Sequence, residues 1–270
     1  MQEPGTGCPT LGASLSLRLG WESRNRSDSP TRAPCNNPNM LVLASSSPRR
    51  RELLTQAGFS FEVHPADIPE NPHPNEDPIA YVTRLAREKA EAVFAELNHR
   101  TPGGPGLDSE TWESTSPRPS QGAPSISRSL RNGWESTDLD PESLVVLGAD
   151  TTVTLDNHIL GKPENPADAA RMLRLLSGRT HRVITGVAVI SAAHTRVASE
   201  STAVQFLAFS NEEIAAYIAT GEPMDKAGAY AIQGRAARWI PRIEGDYFNV
   251  VGLPISLVSR LLESLPPLTR

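Results

Sequence analysis

The segment Ala44-Ser45-Ser46-Ser47-Pro48-Arg49-Arg50 gathers three hydroxyls and two guanidiniums around what reads as a helix start. Ser47 suits the N-cap and Pro48 the first helical position. The free backbone N–H groups and the positive end of the helix dipole would then point into the loop. Together with Ser45, Ser47, Arg49 and Arg50 they would make a cradle for phosphate. A capped surface helix with solvated arginines accounts for the same residues equally well, because capping signals are common.

A second site is Gly148-Ala149-Asp150-Thr151, where a carboxylate follows a short apolar run. If Asp156-Asn157 closes a hairpin, the return strand brings Gly161-Lys162-Pro163 alongside residues 150–152. Asp150 and Lys162 would then be neighbours, although a change of one residue in register would set them on opposite faces. Such a pair suits metal-assisted phosphoryl chemistry: the carboxylate holds Mg²⁺ or activates water, and the lysine offsets phosphate charge. An ordinary strand-edge ion pair is the plainer explanation. Lys89 falls inside an apolar helical stripe at the spacing 82, 86, 89, 93, where a lysine usually snorkels to solvent but a phosphate-binding one would look the same. In Asp225 through Gly234, small residues allow close backbone approach, and the Gln233 amide can both donate to and accept from a base edge. A tight structural turn explains that run as well. His64, His73, His99, His158, His181 and His194 show no metal-ligand spacing and are assigned no role.

Alternating elements must position these groups. Leu41–Ala44 reads as a buried strand, followed by a helix from Pro48 to about Ala57 that Gly58 closes. Asp77-Pro78 opens a second helix with Ile79, Val82, Ala86, Val93 and Leu97 on one face. Leu144–Leu147 and Val153–Leu155 read as two strands. A helix runs from Asn165-Pro166 to Ser177-Gly178, and Val183–Ile190 is a strand. Ser210 and Glu213 form a capping box for a helix that ends before Gly221. The last helix carries Val258, Leu261, Leu262 and Leu265. This order implies an α/β domain with a substantial sheet.

Of the 270 residues, 38% are apolar and 21% charged, which permits a sizeable core. The net charge of −5 argues against broad binding to nucleic acid or anionic membrane, so a polyanionic substrate needs a local cationic pocket. No apolar run is long enough to span a bilayer. The only two cysteines, Cys8 and Cys35, support neither a disulfide framework nor a thiolate site. With no secretory signal pattern, the reading is a cytoplasmic protein. Residues 1–39 are rich in Ser, Pro, Gly, Thr and Asn. Residues 98–143 hold 24 Ser, Pro, Gly or Thr in 46 positions. Neither can bury enough apolar surface to offset ordering, so both are expected to be disordered. The organisation expected is an N-terminal extension, 1–39, and one domain, 40–270, interrupted by an insertion at 98–143. Met40 could be the true start. The tripeptide Trp-Glu-Ser recurs at 21–23, 112–114 and 134–136, which reads as low-complexity duplication.

Taken together, these segments resemble the Maf family of nucleotide pyrophosphatases. Leu41 through Arg50 is similar to its opening signature, and Gly148-Ala149-Asp150-Thr151 with Gly161-Lys162-Pro163 to its central one. Leu176-Ser177-Gly178, Thr180-His181, Thr185-Gly186-Val187, Gly221-Glu222-Pro223, Asp225 through Gly234 and Asn249 through Pro254 follow in the family's order. The resemblance implies a two-lobed mixed sheet with flanking helices, a cleft between the lobes, and a homodimer. It implies Mg²⁺- or Mn²⁺-dependent cleavage between the α- and β-phosphates of a nucleotide. Asp150 would be the general base or metal-bound carboxylate, and Glu70 a second acidic residue. Lys89 and Lys162 would bind phosphate, with Ser45, Ser47 and Arg49 holding the triphosphate. Members acting on 7-methylguanosine triphosphate tend to carry Trp after Ser-Pro, and Ser-Asp-Gln in place of Ala149-Asp150-Thr151. Arg49-Arg50, Thr151 and Gln233 resemble instead the branch that takes dTTP and UTP, and Lys226 is a further substrate-binding candidate. Ala231 departs from that branch, which usually has Gly, and its methyl could narrow the base pocket. A nucleotide-binding regulator without turnover is the alternative of another class.

Overall fold

The computed structural model describes residues 40–99 and 143–265, so the extension 1–39 and residues 100–142 of the expected insertion lie outside the described residues. Seven strands form one mixed sheet: β1 (Met40–Leu43), β2 (Glu62–Val63), β3 (Leu144–Leu155), β4 (His158–Leu160), β5 (Thr180–Ser191), β6 (Thr195–Gln205) and β7 (Arg242–Glu244). The order is β2-β1-β3-β5-β6-β7, with β4 paired to β3. β1 is parallel to β2 and β3, and all other pairs are antiparallel. The helices are α1 (Pro48–Gln56), α2 (Pro78–His99), α3 (Pro166–Leu176), α4 (Asn211–Ile218), α5 (Tyr247–Val251) and α6 (Ile255–Glu263).

Strand alternation sorts the core onto two faces. Leu41, Leu43, Val145, Leu147, Ala149, Val187 and Val189 pack with residues of α1 and α6 on one face. Val42, Ala44, Leu144, Val146, Ala188 and Ile190 pack on the other, against Ala86, Ala90, Val93 and Leu97 of α2. The far half of β3, with α3, α4 and the aromatic residues Phe206, Phe209, Tyr217, Tyr230 and Trp239, forms a further cluster.

Several local expectations hold. α1 stops at Gln56, and Gly58 follows with φ +80°. Asn165 caps α3 by accepting from the Asp168 N–H, and Ser210 with Glu213 makes the full capping box of α4. Asp156 and Asn157, at φ 50° and 63°, form the hairpin turn between β3 and β4.

Four expectations need correction. The two strands 144–147 and 153–155 are one strand, because Gly148–Thr152 continue the ladder to β5 without a break. Asp150 therefore sits within a strand, opposite Gly186, instead of following one. Ile79 is 47% exposed; the buried stripe of α2 runs through Tyr81, Val82, Leu85, Ala86, Lys89, Ala90, Val93 and Leu97. α2 continues through Asn98 and His99, past the expected start of the insertion. Leu265 lies beyond the end of α6, although it still packs on the core. β6, whose Thr, Ser and Glu content hides its pairing, and the short α5 had no clear signal in the sequence.

α2 lies unusually close to the sheet beside Asp150. A Cβ on Gly148 would stand 2.1 Å from the Ala86 carbonyl oxygen, and one on Gly186 would stand 2.3 Å from that of Val82. The two missing methyls let the helix backbone touch β3 and β5 there.

Candidate active site

That close approach determines which side chain meets Asp150. Residues 144, 146 and 150 share the α2 face of β3, and Lys89 follows Ala86 by three positions on the stripe that faces the sheet. Lys89 and Asp150 are buried, at 7% and 8% exposure. The Lys89 ammonium donates to Asp150 Oδ1 at 2.7 Å and also meets Glu70 Oε1 at 2.6 Å. Lys162, on the chain leaving β4, reaches Glu70 Oε2 at 3.7 Å. The expected Asp150–Lys162 pairing is thus redistributed: Lys89 takes Asp150, and Lys162 takes Glu70. The β3–β4 pairing ends at Val153↔Leu160, so Lys162 lies on the chain beyond β4 and is not held in register opposite Asp150.

The environments of the two carboxyls push their proton affinities apart. Burial raises the pKa of Asp150, and the charges of Lys89 and Arg50 only partly oppose it. Burial also works upward on Glu70, but the hydrogen bond and charge of Lys89, with Lys162 and Arg50, outweigh it and hold the carboxyl below its ordinary value. Such divergence is what allows neighbouring carboxyls to take different roles in proton transfer.

Thr151 faces the α1 side, where the second set of groups lies. Ser47 occupies the N-cap of α1 as expected, but its hydroxyl makes no capping hydrogen bond. Its N–H donates to Ser45 Oγ at 3.2 Å. Arg50 donates four times: Nε to the Gly252 carbonyl (2.9 Å), Nη1 to Ser45 Oγ (3.1 Å) and to the Ala149 carbonyl (2.8 Å), and Nη2 to Thr151 Oγ1 (3.0 Å). Its guanidinium ties together the end of β1, the middle of β3 and the turn after α5. Arg49 instead pairs loosely with Asp225, at 3.8 Å. Lys226 donates to the Glu222 carbonyl at 3.2 Å and to Asp225.

A cleft of about 790 Å³ joins the two sets, a size ordinary for a small-molecule site. Ser45, Ser47, Arg49, Arg50, Glu70, Lys89, Asp150, Thr151, Lys162 and Lys226 all line it. Gln233 is exposed and does not line it. Tyr230 does, and its hydroxyl is held by His181 Nε2 at 2.7 Å. Burial pushes His181 down to about 3, so it stays neutral, and its Nδ1 has no hydrogen-bond partner among the described residues. Spacing alone could not single out His181, because its partner is 49 positions away.

Among the described residues no group of three or more His, Cys, Asp or Glu is gathered that could hold a metal by itself. Mg²⁺ commonly binds through one or two carboxylates plus substrate phosphates, so a donor set of Asp150 and Glu70 on a cleft wall fits such an ion.

Comparison with known proteins identifies the family. The family model described as Maf-like protein matches residues 40–265. The dTTP/UTP pyrophosphatase of Koribacter versatilis is 46% identical over 222 residues, covering 82% of this chain and 92% of that protein. That of Moorella thermoacetica is 45% identical over 224 residues (82% and 93%), and that of Geobacillus sp. strain WCH70 is 43% identical over 225 (83% and 97%). With the match running through nearly all the described residues, the chain belongs to the Maf-like protein family.

Proposed function

We infer that this chain hydrolyses a pyrimidine nucleoside triphosphate, dTTP or UTP, to the monophosphate and pyrophosphate. The observation that carries the reading is Lys89, buried between the carboxyls of Asp150 and Glu70 in a cleft that opens on the Ser45–Arg50 helix start. The names of the relatives supply the substrate.

The triphosphate lies against the start of α1, its charge met by Arg49, Lys162, the hydroxyls of Ser45 and Ser47 and the first-turn N–H groups. Asp150, with its raised proton affinity, takes a proton from the attacking water as the water oxygen bonds to the α-phosphorus. The bond from that phosphorus to the α–β bridging oxygen breaks, and pyrophosphate leaves. Glu70 stays ionised, and Lys89 holds both carboxyls in place. Asp150 and Glu70 would hold Mg²⁺ or Mn²⁺, which when bound offsets phosphate charge and acidifies water. Thr151 and Lys226 belong to the substrate site, whereas Gln233, exposed and off the cleft wall, is given no contact with the base.

The domain reading, a catalytic unit over 40–270 with residues 1–39 and the insertion dispensable to it, is part of the proposal and rests on composition. A cytoplasmic protein acting on a small-molecule nucleotide without nucleic acid or membrane is part of it too, in keeping with the net charge of −5, and the homodimer rests on the family resemblance alone. The test is incubation of the purified protein with UTP, dTTP and 7-methylguanosine triphosphate in Mg²⁺ or Mn²⁺. Monophosphate and pyrophosphate are expected from the first two. Orthophosphate with a nucleoside diphosphate would place cleavage at the wrong bond and overturn the assignment.

A further inference from the structure

Glu70 stands in residues 64–77, which form neither helix nor strand. A free segment of that kind would spread a carboxylate over many positions, because each unfixed residue retains its backbone freedom. Yet Glu70 meets Lys89 at 2.6 Å. Something must hold the segment: His64, at its start, pairs with Glu96 of α2 at 2.9 Å, and further along Arg84 and Tyr81 of the same helix hold it. Arg84, on α2, donates through Nε to Glu76 Oε1 and through Nη2 to Glu76 Oε2, both at 2.7 Å. This is the two-pronged geometry that makes guanidinium–carboxylate pairs strong. The same Nη2 reaches the Asn71 carbonyl at 3.2 Å. Glu76 also accepts from the His73 N–H at 2.9 Å. One turn earlier on α2, the Tyr81 hydroxyl donates to the carbonyl of Glu70 itself at 2.9 Å, and the Arg84 guanidinium lies 5.7 Å from the centre of that ring.

The segment is therefore fastened at residues 70, 71 and 76 to the same helix that carries Lys89, and His73 braces Glu76 from within the segment. Exposed ion pairs contribute little, but this one is largely shielded, with side-chain exposures of 21% for Arg84 and 9% for Glu76. The hydrogen bond from Arg84 pulls Glu76 down to about 2, so the pair stays ionised at any pH at which the enzyme is assayed. Arg84 itself does not line the cleft.

We propose that Arg84 is a positioning residue for the hydrolysis: with Glu76 it straps residues 64–77 to α2, so that the Glu70 carboxylate is delivered to Lys89. The proposal rests on the reading of Glu70 as an active-site carboxylate. The fork matters more than the charge, so a lysine at 84 would not replace it.

The test is a double-mutant cycle on the full chain, with UTP turnover followed by pyrophosphate release. Arg84→Met is expected to lower kcat by about 10- to 100-fold through misplacement of Glu70, with little change in KM. Glu76→Gln, which preserves size and one acceptor, is expected to move kcat in the same direction and serves if Arg84→Met does not fold. In a Glu70→Gln background neither substitution is expected to lower kcat further. Equal losses with and without Glu70 would overturn the proposal and make Arg84 a general stabiliser. Unchanged kcat in both Arg84→Met and Glu76→Gln would overturn it as well. Full activity in Glu70→Gln alone would overturn the reading of Glu70 and the proposal with it.

Discussion

Lys89 and Asp150 meet at 2.7 Å although 61 positions separate them, and both are buried. The carboxyl still has a raised pKa, so for Asp150 the cost of burial exceeds the gain from the lysine. Asp150→Asn removes the proton acceptor while preserving shape. kcat is expected to fall by about 10²–10⁴-fold, with nucleotide affinity largely retained. The effect on stability has the opposite sign. A raised folded pKa means that the stability contributed by the protonated form is lost as pH rises through it, so ionised Asp150 weakens the fold at neutral pH. Asn cannot ionise, and Lys89 keeps Glu70 as a partner. Thermal unfolding at neutral pH is expected to show a midpoint equal to or above that of the parent; a clear drop would contradict the balance described.

The acid limb of kcat/KM is expected to report Asp150. Activity should fall as pH drops through its raised pKa, at a midpoint above the ordinary carboxylate value of 3.8. Lys89→Met removes the nearest charge that opposes burial, and should move that limb further toward neutral pH. A limb that stays in place would mean that another group takes the proton.

Arg49 and Arg50 are expected to behave differently despite adjacency. Arg50→Lys breaks a fork that satisfies two backbone carbonyls, and orphaned buried acceptors cost about 1–3 kcal/mol each. It should therefore lower both kcat and the thermal midpoint. Arg49→Lys, whose ion pair at 3.8 Å is loose, should act mainly on KM and leave the midpoint within error. Kinetics and unfolding on the two variants check this; the reverse ranking would show Arg50 to be the ligand.

His181 should make the protein acid-sensitive before its carboxylates do. Burial lowers its pKa from 6.5 to about 3. Between those values the unfolded chain binds a proton that the folded chain refuses, so stability is present above pH 6.5 and is lost as pH falls through that window. The slope is about 1.4 kcal/mol per pH unit for one proton. Glu76, held down to about 2 from 4.5, adds loss only further into acid. Urea unfolding at stepped pH between 6.5 and 5 should show the slope in the parent and not in His181→Gln, which can still bond Tyr230.

How much of this was legible in the sequence depended on range. The caps at Asn165 and Ser210 and the Asp156-Asn157 turn are local chemistry and form where the sequence places them, and Ser47 takes the N-cap position without making the cap bond. The apolar stripe of α2 was legible too, and it marked Lys89 as anomalous. Its pairing with Asp150 was not, because whether Lys89 or Lys162 meets that carboxylate depends on helix-to-sheet distance, which no periodicity encodes. Arg50 read as a ligand because an arginine beside a helix start looks the same whether it holds phosphate or carbonyls 99 and 202 positions away. Arg84 and Tyr81 sit in a helix whose sequence gives no hint that a loop lies against it. β6 was hidden because its Thr, Ser and Glu residues leave little apolar alternation, and its place in the sheet comes from backbone pairing on both sides.

Gly148 and Gly186 carry a further consequence. Neither has a side chain that could touch a substrate, yet together they act as a spacer gauge between helix and sheet. A single methyl at either would have to push α2 away from the sheet, because the Ala86 and Val82 carbonyls of that helix now stand only 2.1 and 2.3 Å from the vacant Cβ positions. Lys89 would lift with it, and so would Tyr81 and Arg84, which tether the Glu70 segment. The reach of an ammonium between two carboxyls is thus stored as two hydrogens on strands, and the tolerances of the chemistry are set by residues that have nothing to ionise.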